Sequence, residues 1–457
     1  MEKDEEKILK KIINNPCPLP ILCKTMTDDS GYHWGGKEYI PRLLGLKNTQ
    51  KKSFAEIWIG AHPKGPAALV VKNKKINLYE VIKLFGNKIL GAETNKKYEN
   101  KLPYLMKVLS ASKPLSIQAH PEKQKAKEGW KKEKGKGPNY KDDNHKPELI
   151  CALTKFWALK GFRNGEEIIK DFDRLKISEI NNILDDFKTN LTSSKNSADK
   201  KNALKVFYTA LMTTPKDKMN IIVNKIIKKV FLKRIIFLVI FPFYLLFKNT
   251  REYWILKSKD SSIIAIDEDI KKNNISSKIR DGKIKEALYG IPVIYLLNLI
   301  RLKRGEALFL EPGELHSYLR GSGIEIMANS DNVLRAGLTH KHIDTKELLY
   351  ILTFNLGKAK KVIPEQKSST EFVYKTEAKE FELSKIVLKN NNIFISSPVH
   401  SADSLIVLDG LIEIVDINDN KLFLKKGETA LIPANVRQYK IKSIAKKAAV
   451  FKASVPL

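Results

Sequence analysis

The sequence predicts a mainly β protein with an α-helical insertion: two related β-barrels, with a helical domain interrupting the first. Three observations point there. Residues 20–150 hold short apolar runs separated by Gly, Pro and Lys, such as AEIWIG from Ala55 to Gly60 and LSIQ from Leu115 to Gln118, which read as strands. From Glu166 the pattern changes: Ile168, Ile169, Phe172, Leu175, Ile180, Ile183, Leu184 and Phe187 recur at the three- and four-residue spacing of an amphipathic helix. A Gly-Glu turn, an apolar strand and a proline-marked turn then occur twice, as GEALFLEPGELH at 305–316 and GETALIPANVRQ at 427–438.

In chain order, 20–150 is expected to be mainly strands. Helical patterning follows to about Leu299, with a Ser/Asn/Lys break near 192–202. Strand character returns at Glu306–Leu310 and runs to the C-terminus, apart from a helical piece near 344–352. In the gapless pairing of the repeat, His316 stands opposite Gln438, so the first barrel would bind a metal and the second would have lost it. Two unrelated hairpins sharing turn chemistry are the alternative.

The 457 residues, 43% hydrophobic with 19 prolines, suit an ordered chain of two or three domains. A net charge of +31 suggests a polyanion partner, but the lysines are spread along the chain, and a run such as Lys131–Lys134 is mixed with Glu133 and poor in aromatic residues. Solvated lysine faces are the preferred reading, with no nucleic acid expected. Cys17, Cys23 and Cys151 cannot form an even disulfide framework, and the acidic start, Met1 to Glu6, does not resemble a signal peptide; a cytoplasmic protein is expected. The apolar stretch from Ile235 to Phe247 contains Pro242, follows Lys233 and Arg234, and is shorter than the roughly 20 residues a bilayer requires. It reads as a buried helix or an interfacial patch, so no membrane span is expected.

The chemistry lies in scattered metal-ligand residues. Gln118 and His120 are two apart, so on a strand they share a face. Glu148, in the run Asn144-His145-Lys146-Pro147-Glu148, and His316, in Pro312-Gly313-Glu314-Leu315-His316, can complete a set of one amide, one carboxylate and two imidazoles. That donor set with room for a substrate is the pattern of a catalytic zinc. Each histidine alone is more often a satisfied core or surface residue than a ligand; a polar Gln two residues from His120 in an apolar strand is what favours the metal. A second group, Ser330 to Gly337 with Lys341 beyond it, offers Arg335 as an oxyanion or phosphate clamp; an Asp331–Arg335 pair tying down a turn is the alternative. Lys107 and Lys146 are near the ligands in sequence.

With these residues assembled, the chain resembles the type I mannose-6-phosphate isomerases of the cupin superfamily. The matching runs are Ala55 to Pro63 (AEIWIGAHP), Leu102 to Pro121 (LPYLMKVLSASKPLSIQAHP), Tyr140 to Arg163 (YKDDNHKPELICALTKFWALKGFR) and Gly305 to Lys341. The resemblance implies one Zn2+ held at Gln118, His120, Glu148 and His316. It makes Arg335 the presumed catalytic arginine and puts Lys146, Asp331 and Lys107 in the substrate pocket, where Ser116 and Lys341 are also expected to bind substrate. It also implies a jelly-roll arrangement: 1–163 and 300–357 as the metal-binding cupin, 164–299 as the helical insertion and 358–457 as a degenerate cupin. The expected activity is reversible isomerisation of D-mannose 6-phosphate and D-fructose 6-phosphate by a monomer, through a cis-enediol, with Lys146, His145 or Asp331 as the base. A non-catalytic cupin sensing a sugar phosphate is the alternative, and a polyanion- or membrane-associated protein a third. Two features depart from the family: the apolar segment 235–247, and His340, where proline is more usual.

Overall fold

A computed structural model describes residues 9–10, 13–134, 136–239, 249–273, 277–339, 341–389 and 391–457. Residues 240–247 of the apolar segment and His340 lie outside them. Among the described residues, no helix is long and apolar enough to cross a membrane. The protein is mostly β-sheet with a helical region, as the alternating hydrophobic periods predict.

A ten-stranded sheet carries the candidate metal ligands. Its main path runs Leu297–Leu302, Phe156–Phe162, His316–Ala328, Tyr104–Ala111, Phe54–Ile59 and Lys24–Thr27; Ile117–Ala119, Glu148–Ala152, Ala307–Leu310 and Leu334–Gly337 attach beside it. The 13-residue strand His316–Ala328 is the hub. Its first part pairs with Phe156–Phe162, and from Gly321 onward it pairs with Tyr104–Ala111. Gly321, at φ +135°, lets it change partners: a Cβ there would lie 2.7 Å from the Phe156 ring and 2.8 Å from the Lys155 carbonyl.

A nine-stranded sheet holds most of the C-terminal strands, and it also contains Leu19–Leu22, Ala68–Val71 and Lys74–Asn77 from the N-terminal part of the chain. Leu19 is in register with Leu431, and Ile21 with Thr429. One apolar core joins the two large sheets, with Ile57, Met106, Val108 and Ile326 on one side and Leu383, Ile406, Leu431 and Phe451 on the other. A second core, including Val407, Ile412, Ile414 and Val450, lies between the nine-stranded sheet and a four-stranded one. The repeated turns match in detail. Gly305 and Gly427 both have φ +88°, and the next residue in each case, Glu306 or Glu428, returns its carboxylate to a backbone N–H, that of Lys303 at 2.7 Å or Lys425 at 2.9 Å.

Helices fill 165–296: Gly165–Leu175, Asn181–Thr192, Ser197–Met212, Lys216–Val239, Arg251–Asn273, Ser277–Leu288 and Ile291–Leu296. Ile168, Phe172, Leu175, Ile180, Leu184 and Phe187 form their buried seam. The break near 192–202 is shorter than expected, because the Asn196 side chain accepts the Asp199 N–H at 3.0 Å and starts the next helix at once. The helical region also ends sooner. Leu297–Leu302 forms a strand because Phe156–Phe162 offers it a partner edge, and tertiary pairing outweighs local periodicity. Four helices interrupt the predicted strands of 20–150: Tyr39–Leu43, Leu78–Leu90, Ala92–Tyr98 and Lys123–Glu133. The longest has a cap visible in the sequence, Asn77, which accepts the Tyr79 N–H at 2.9 Å.

The insertion meets the β region backbone to backbone where Gly290 packs on Gly337, and a Cβ on Gly290 would lie 2.7 Å from the Leu338 nitrogen and 2.8 Å from the Gly337 Cα. Gly290→Ala is therefore expected to cost about 1–3 kcal/mol by overpacking. Gly282→Ala, on a helix with open space around it, should be neutral or stabilising by about 0.5–1 kcal/mol. Denaturant titration of both variants checks the contrast.

Candidate metal centre

The short strand Ile117–Ala119 lies between two others, and the register is specific: Gln118 pairs with His316 on one side and with Arg335 on the other, while His316 also pairs with Lys160. Directly opposed residues present their side chains to the same face. The backbone therefore sets out a row of Lys160, His316, Gln118 and Arg335, with His120 two positions beyond Gln118. Glu148 opens the strand Glu148–Ala152, which pairs with Ala307–Leu310 and with the far part of the hub strand. His120, Glu148 and His316 converge with their ligand atoms all within 4.8 Å, and each is at most 2% exposed. Gln118 is half-buried, and its Oε1 accepts from the Ser116 hydroxyl at 3.4 Å.

Hydrogen bonding decides the imidazole tautomers. His120 Nδ1 is 2.6 Å from the Asn332 carbonyl, and His316 Nδ1 is 3.0 Å from the Glu314 carbonyl. A carbonyl can only accept, so both protons reside on Nδ1 and both Nε2 atoms present lone pairs. Neither buried Nε2 has a hydrogen-bond partner among the described residues. They stand 3.3 and 3.6 Å from the two oxygens of Glu148. Two lone pairs facing a buried carboxylate repel unless a cation lies among them, so these residues fit a divalent metal. Burial lowers the His120 pKa, and Lys146 adds to the effect. Burial, reinforced by His120, lowers His316 to about 4. Burial alone would raise the Glu148 pKa, but the Lys146 ammonium, with Nζ 3.0 Å from Oε1, holds it well below the usual carboxylate range.

The surrounding residues hold this set in place. Asn332 is fully buried; its amide donates to the carbonyls of Asp142 and Asn144, both at 2.8 Å, and accepts from the Lys141 N–H at 2.6 Å. It thereby fixes the loop that leads to Lys146 and Glu148, while its own carbonyl orients His120. Asp331 pairs with Lys64 at 2.7 Å and His62 at 3.4 Å, and the alternative Asp331–Arg335 pair does not form. Those two partners outweigh burial and keep the Asp331 carboxyl well below its ordinary range. Arg335 has no ion-pair partner among the described residues, and burial lowers its pKa. Burial also lowers Lys341, the Arg335 charge adds to the effect, and Lys341 lines a cavity of about 410 Å³ beneath the helical region. Lys107 lies between Glu325 at 3.2 Å and Glu56 at 3.6 Å, committed to two carboxylates below the metal ligands. His145 turns away, to Glu380 just before the strand Glu382–Lys389, at 2.8 Å, and so is poorly placed as a base.

Four further residues, His62, Lys64, Glu56 and Glu325, join the site only in the structure. Glu56 in FAEIWI and Glu325 in GIEIMA were detectable as charges inside otherwise apolar runs, which must be paired once buried. Nothing local marked His62 and Lys64, which reach Asp331 only through the fold.

The sheet, with its buried pair of imidazoles and one carboxylate, makes a β protein able to hold a metal ion, with an arginine in register beside Gln118 that has no ion-pair partner among the described residues. A family model described as "Phosphomannose isomerase type I, catalytic domain" matches residues 22–165. Mannose-6-phosphate isomerase from Escherichia coli (strain K12) is 30% identical over 439 residues, covering 94% of this chain and 99% of its own length. The enzyme of that name from Salmonella typhimurium is 30% identical over 432 residues, covering 90% and 95%. A zinc-bound crystal structure of mannose 6-phosphate isomerase superposes with a TM-score of 0.73 at 26% identity, covering 96% of this chain and all of that one. The chain belongs to the type I mannose-6-phosphate isomerase family.

The His316 shift gives a pH dependence. Unfolded, this imidazole titrates near ~6.5; folded, it stays neutral to about pH 4. Below the unfolded value the denatured chain binds a proton that the native state refuses, so metal-free protein should lose stability as pH falls from ~6.5 towards 4, by on the order of 3 kcal/mol. Chelator-treated protein followed by urea titration between pH 7 and 5 should show the loss, and His316→Gln should reduce it.

Proposed function

We propose that this protein interconverts D-mannose 6-phosphate and D-fructose 6-phosphate, with one zinc ion held by Gln118, His120, Glu148 and His316. The observation that carries this reading is the pair of bare imidazole nitrogens aimed at a buried carboxylate, in a chain alignable with mannose-6-phosphate isomerases over nearly its whole length. When bound, the metal supplies Lewis acidity to the oxygens of the reacting carbons. The residues of the chain do the rest.

The isomerisation moves a proton between C2 and C1 by way of a cis-enediol. Arg335, with no carboxylate partner among the described residues, offers its charge where negative charge builds on the enediolate, and Lys341 extends the positive field for the phosphate. Lys146, close to the ligands and paired with Glu148, is assigned the proton transfer. Asp331 is a weak base as long as Lys64 and His62 hold it ionised, and we assign it to the wall that orients substrate, with Ser116 steadying Gln118. Lys107 acts through the Glu56–Glu325 pair. The alternative of a sensor without turnover gives no reason for an uncompensated Arg335 next to the ligands.

In the same reading the two β regions are jelly-roll cupins, a metal-bearing one from 1–163 and 300–357 and a degenerate one from 358–457, with 164–299 inserted. The matching Gly305 and Gly427 turns support that kinship, and the N-terminal strands complete the second sheet. The enzyme is proposed to work as a cytoplasmic monomer.

A coupled assay of mannose 6-phosphate conversion, before and after chelation and zinc return, tests the function; no turnover with stoichiometric zinc would overturn it. Arg335→Ala should lower kcat by about 10²–10³-fold with zinc content unchanged. His316→Ala should lose zinc and activity together, measured by metal analysis on the same sample.

A further inference from the structure

A second cavity, of about 870 Å³, opens on the outer side of the ten-stranded sheet. The strands that wall it alternate in and out, except at a bulge between Tyr318 and Arg320 in the hub strand. Phe156, Ala158, Ile300, Leu302 and Tyr318 point into the apolar core on the inner side, so Trp157 and Arg301 point out. Register aligns three outward side chains: Arg301 pairs with Trp157, and Trp157 with Arg320. The Arg301 guanidinium stands 5.6 Å over the Trp157 ring. Arg42, from the helix Tyr39–Leu43, adds a third guanidinium. The floor carries the Ser110 and Ser322 hydroxyls, 2.9 Å apart. These lie three positions along their strands from Lys107 and Glu325, and therefore on the opposite face from the metal centre.

This concentration of charge is not the general lysine excess. The chain has only eleven arginines, and three of them line this one cavity. Among the described residues none of the three has an ion-pair partner, and Glu38 is the only carboxylate in the lining. Trp254 supplies a second, independent observation. It forms part of the wall, is 2% exposed, packs 5.5 Å from Trp157, and has an indole N–H without an acceptor among the described residues. A buried donor with no partner at the edge of a cationic cavity implies a missing acceptor.

We propose that this cavity is a binding site for a nucleoside diphosphate, separate from the catalytic centre. Guanidinium forks match phosphate oxygens two at a time, and three spread over one rim suit two linked phosphates better than one. The indole and phenol walls offer stacking surface and an N–H donor to a heterocycle, which a simple sugar phosphate cannot use. The volume falls in the range that encloses one ligand of that size.

ADP titrated into the zinc-loaded full chain, followed by calorimetry and tryptophan fluorescence, tests the proposal. Saturable binding is expected, with the fluorescence changed because two tryptophans form the wall. The double variant Arg301→Ala/Arg320→Ala should weaken binding at least tenfold and leave mannose 6-phosphate turnover within twofold. Should that variant fail to fold, Arg320→Lys, which keeps the charge and removes the fork, should weaken it threefold or more. The proposal is overturned by no saturation up to ~1 mM, a very weak limit, or by unchanged affinity in the variants. Displacement of ADP by fructose 6-phosphate would overturn it by placing the nucleotide at the catalytic centre. Pyrophosphate binding as tightly as ADP, or single-stranded RNA binding far more tightly, would replace the nucleotide with a generic polyanion.

Discussion

Two imidazole protons set the terms for the centre of this molecule. Because His120 and His316 each donate Nδ1–H to a backbone carbonyl, neither ring can rotate or change tautomer without losing a buried hydrogen bond. Their remaining nitrogens are committed as acceptors in a space that water does not reach. Add the Glu148 carboxylate and the arrangement is unfavourable by itself: three electron-rich groups, one nearby ammonium, and low dielectric. The surrounding fold holds that unfavourable geometry ready, and a cation completes it.

What holds it is unevenly distributed. The sheet fixes Gln118, His316 and Arg335 through register alone. Glu148 and Lys146 depend on a loop whose shape is imposed by a single buried amide, that of Asn332, through bonds to Lys141, Asp142 and Asn144. Asn332 thus serves both histidine orientation, through its carbonyl, and ligand placement, through its side chain. The helical insertion contributes from outside. Its last helices bring Gly290 against Gly337, immediately beyond the residues that carry Arg335, so the packing of the insertion sets the depth of the arginine strand.

The period change at Glu166 identified the helical region because a long amphipathic seam is strongly periodic, and Ile168 to Phe187 are buried as that period requires. Short helices such as Leu78–Leu90 were missed in a region read for strands, although Asn77 and the spacing of Val81, Ile82 and Ile89 were there to be read. Leu297–Leu302 shows the opposite limit: the local pattern is ambiguous, and only the partner strand Phe156–Phe162 decides it. In the site, Gln118 and His120 were legible as polar residues in an apolar strand, and Glu148 and His316 as plausible complements. Their convergence was not legible from spacing, since it depends on the pairings of one hub strand. His62 and Lys64 illustrate the same point for Asp331: nothing within several residues of either one records that they meet.

The strand Leu19–Leu22 has a consequence for how the protein is made. It pairs with Ala68–Val71 early in the chain, but its other edge waits for Thr429–Ile432. At synthesis rates of ~5–20 residues per second, the roughly 410 intervening residues take on the order of 20–80 seconds to emerge. Throughout that interval the nascent chain presents an open sheet edge backed by apolar Leu19 and Ile21, a surface suited to wrong partners. The second sheet closes late and across the whole chain, so a ribosome stalled shortly before residue 429 would release an enzyme-sized polypeptide with its ligands present and its first strand half-paired.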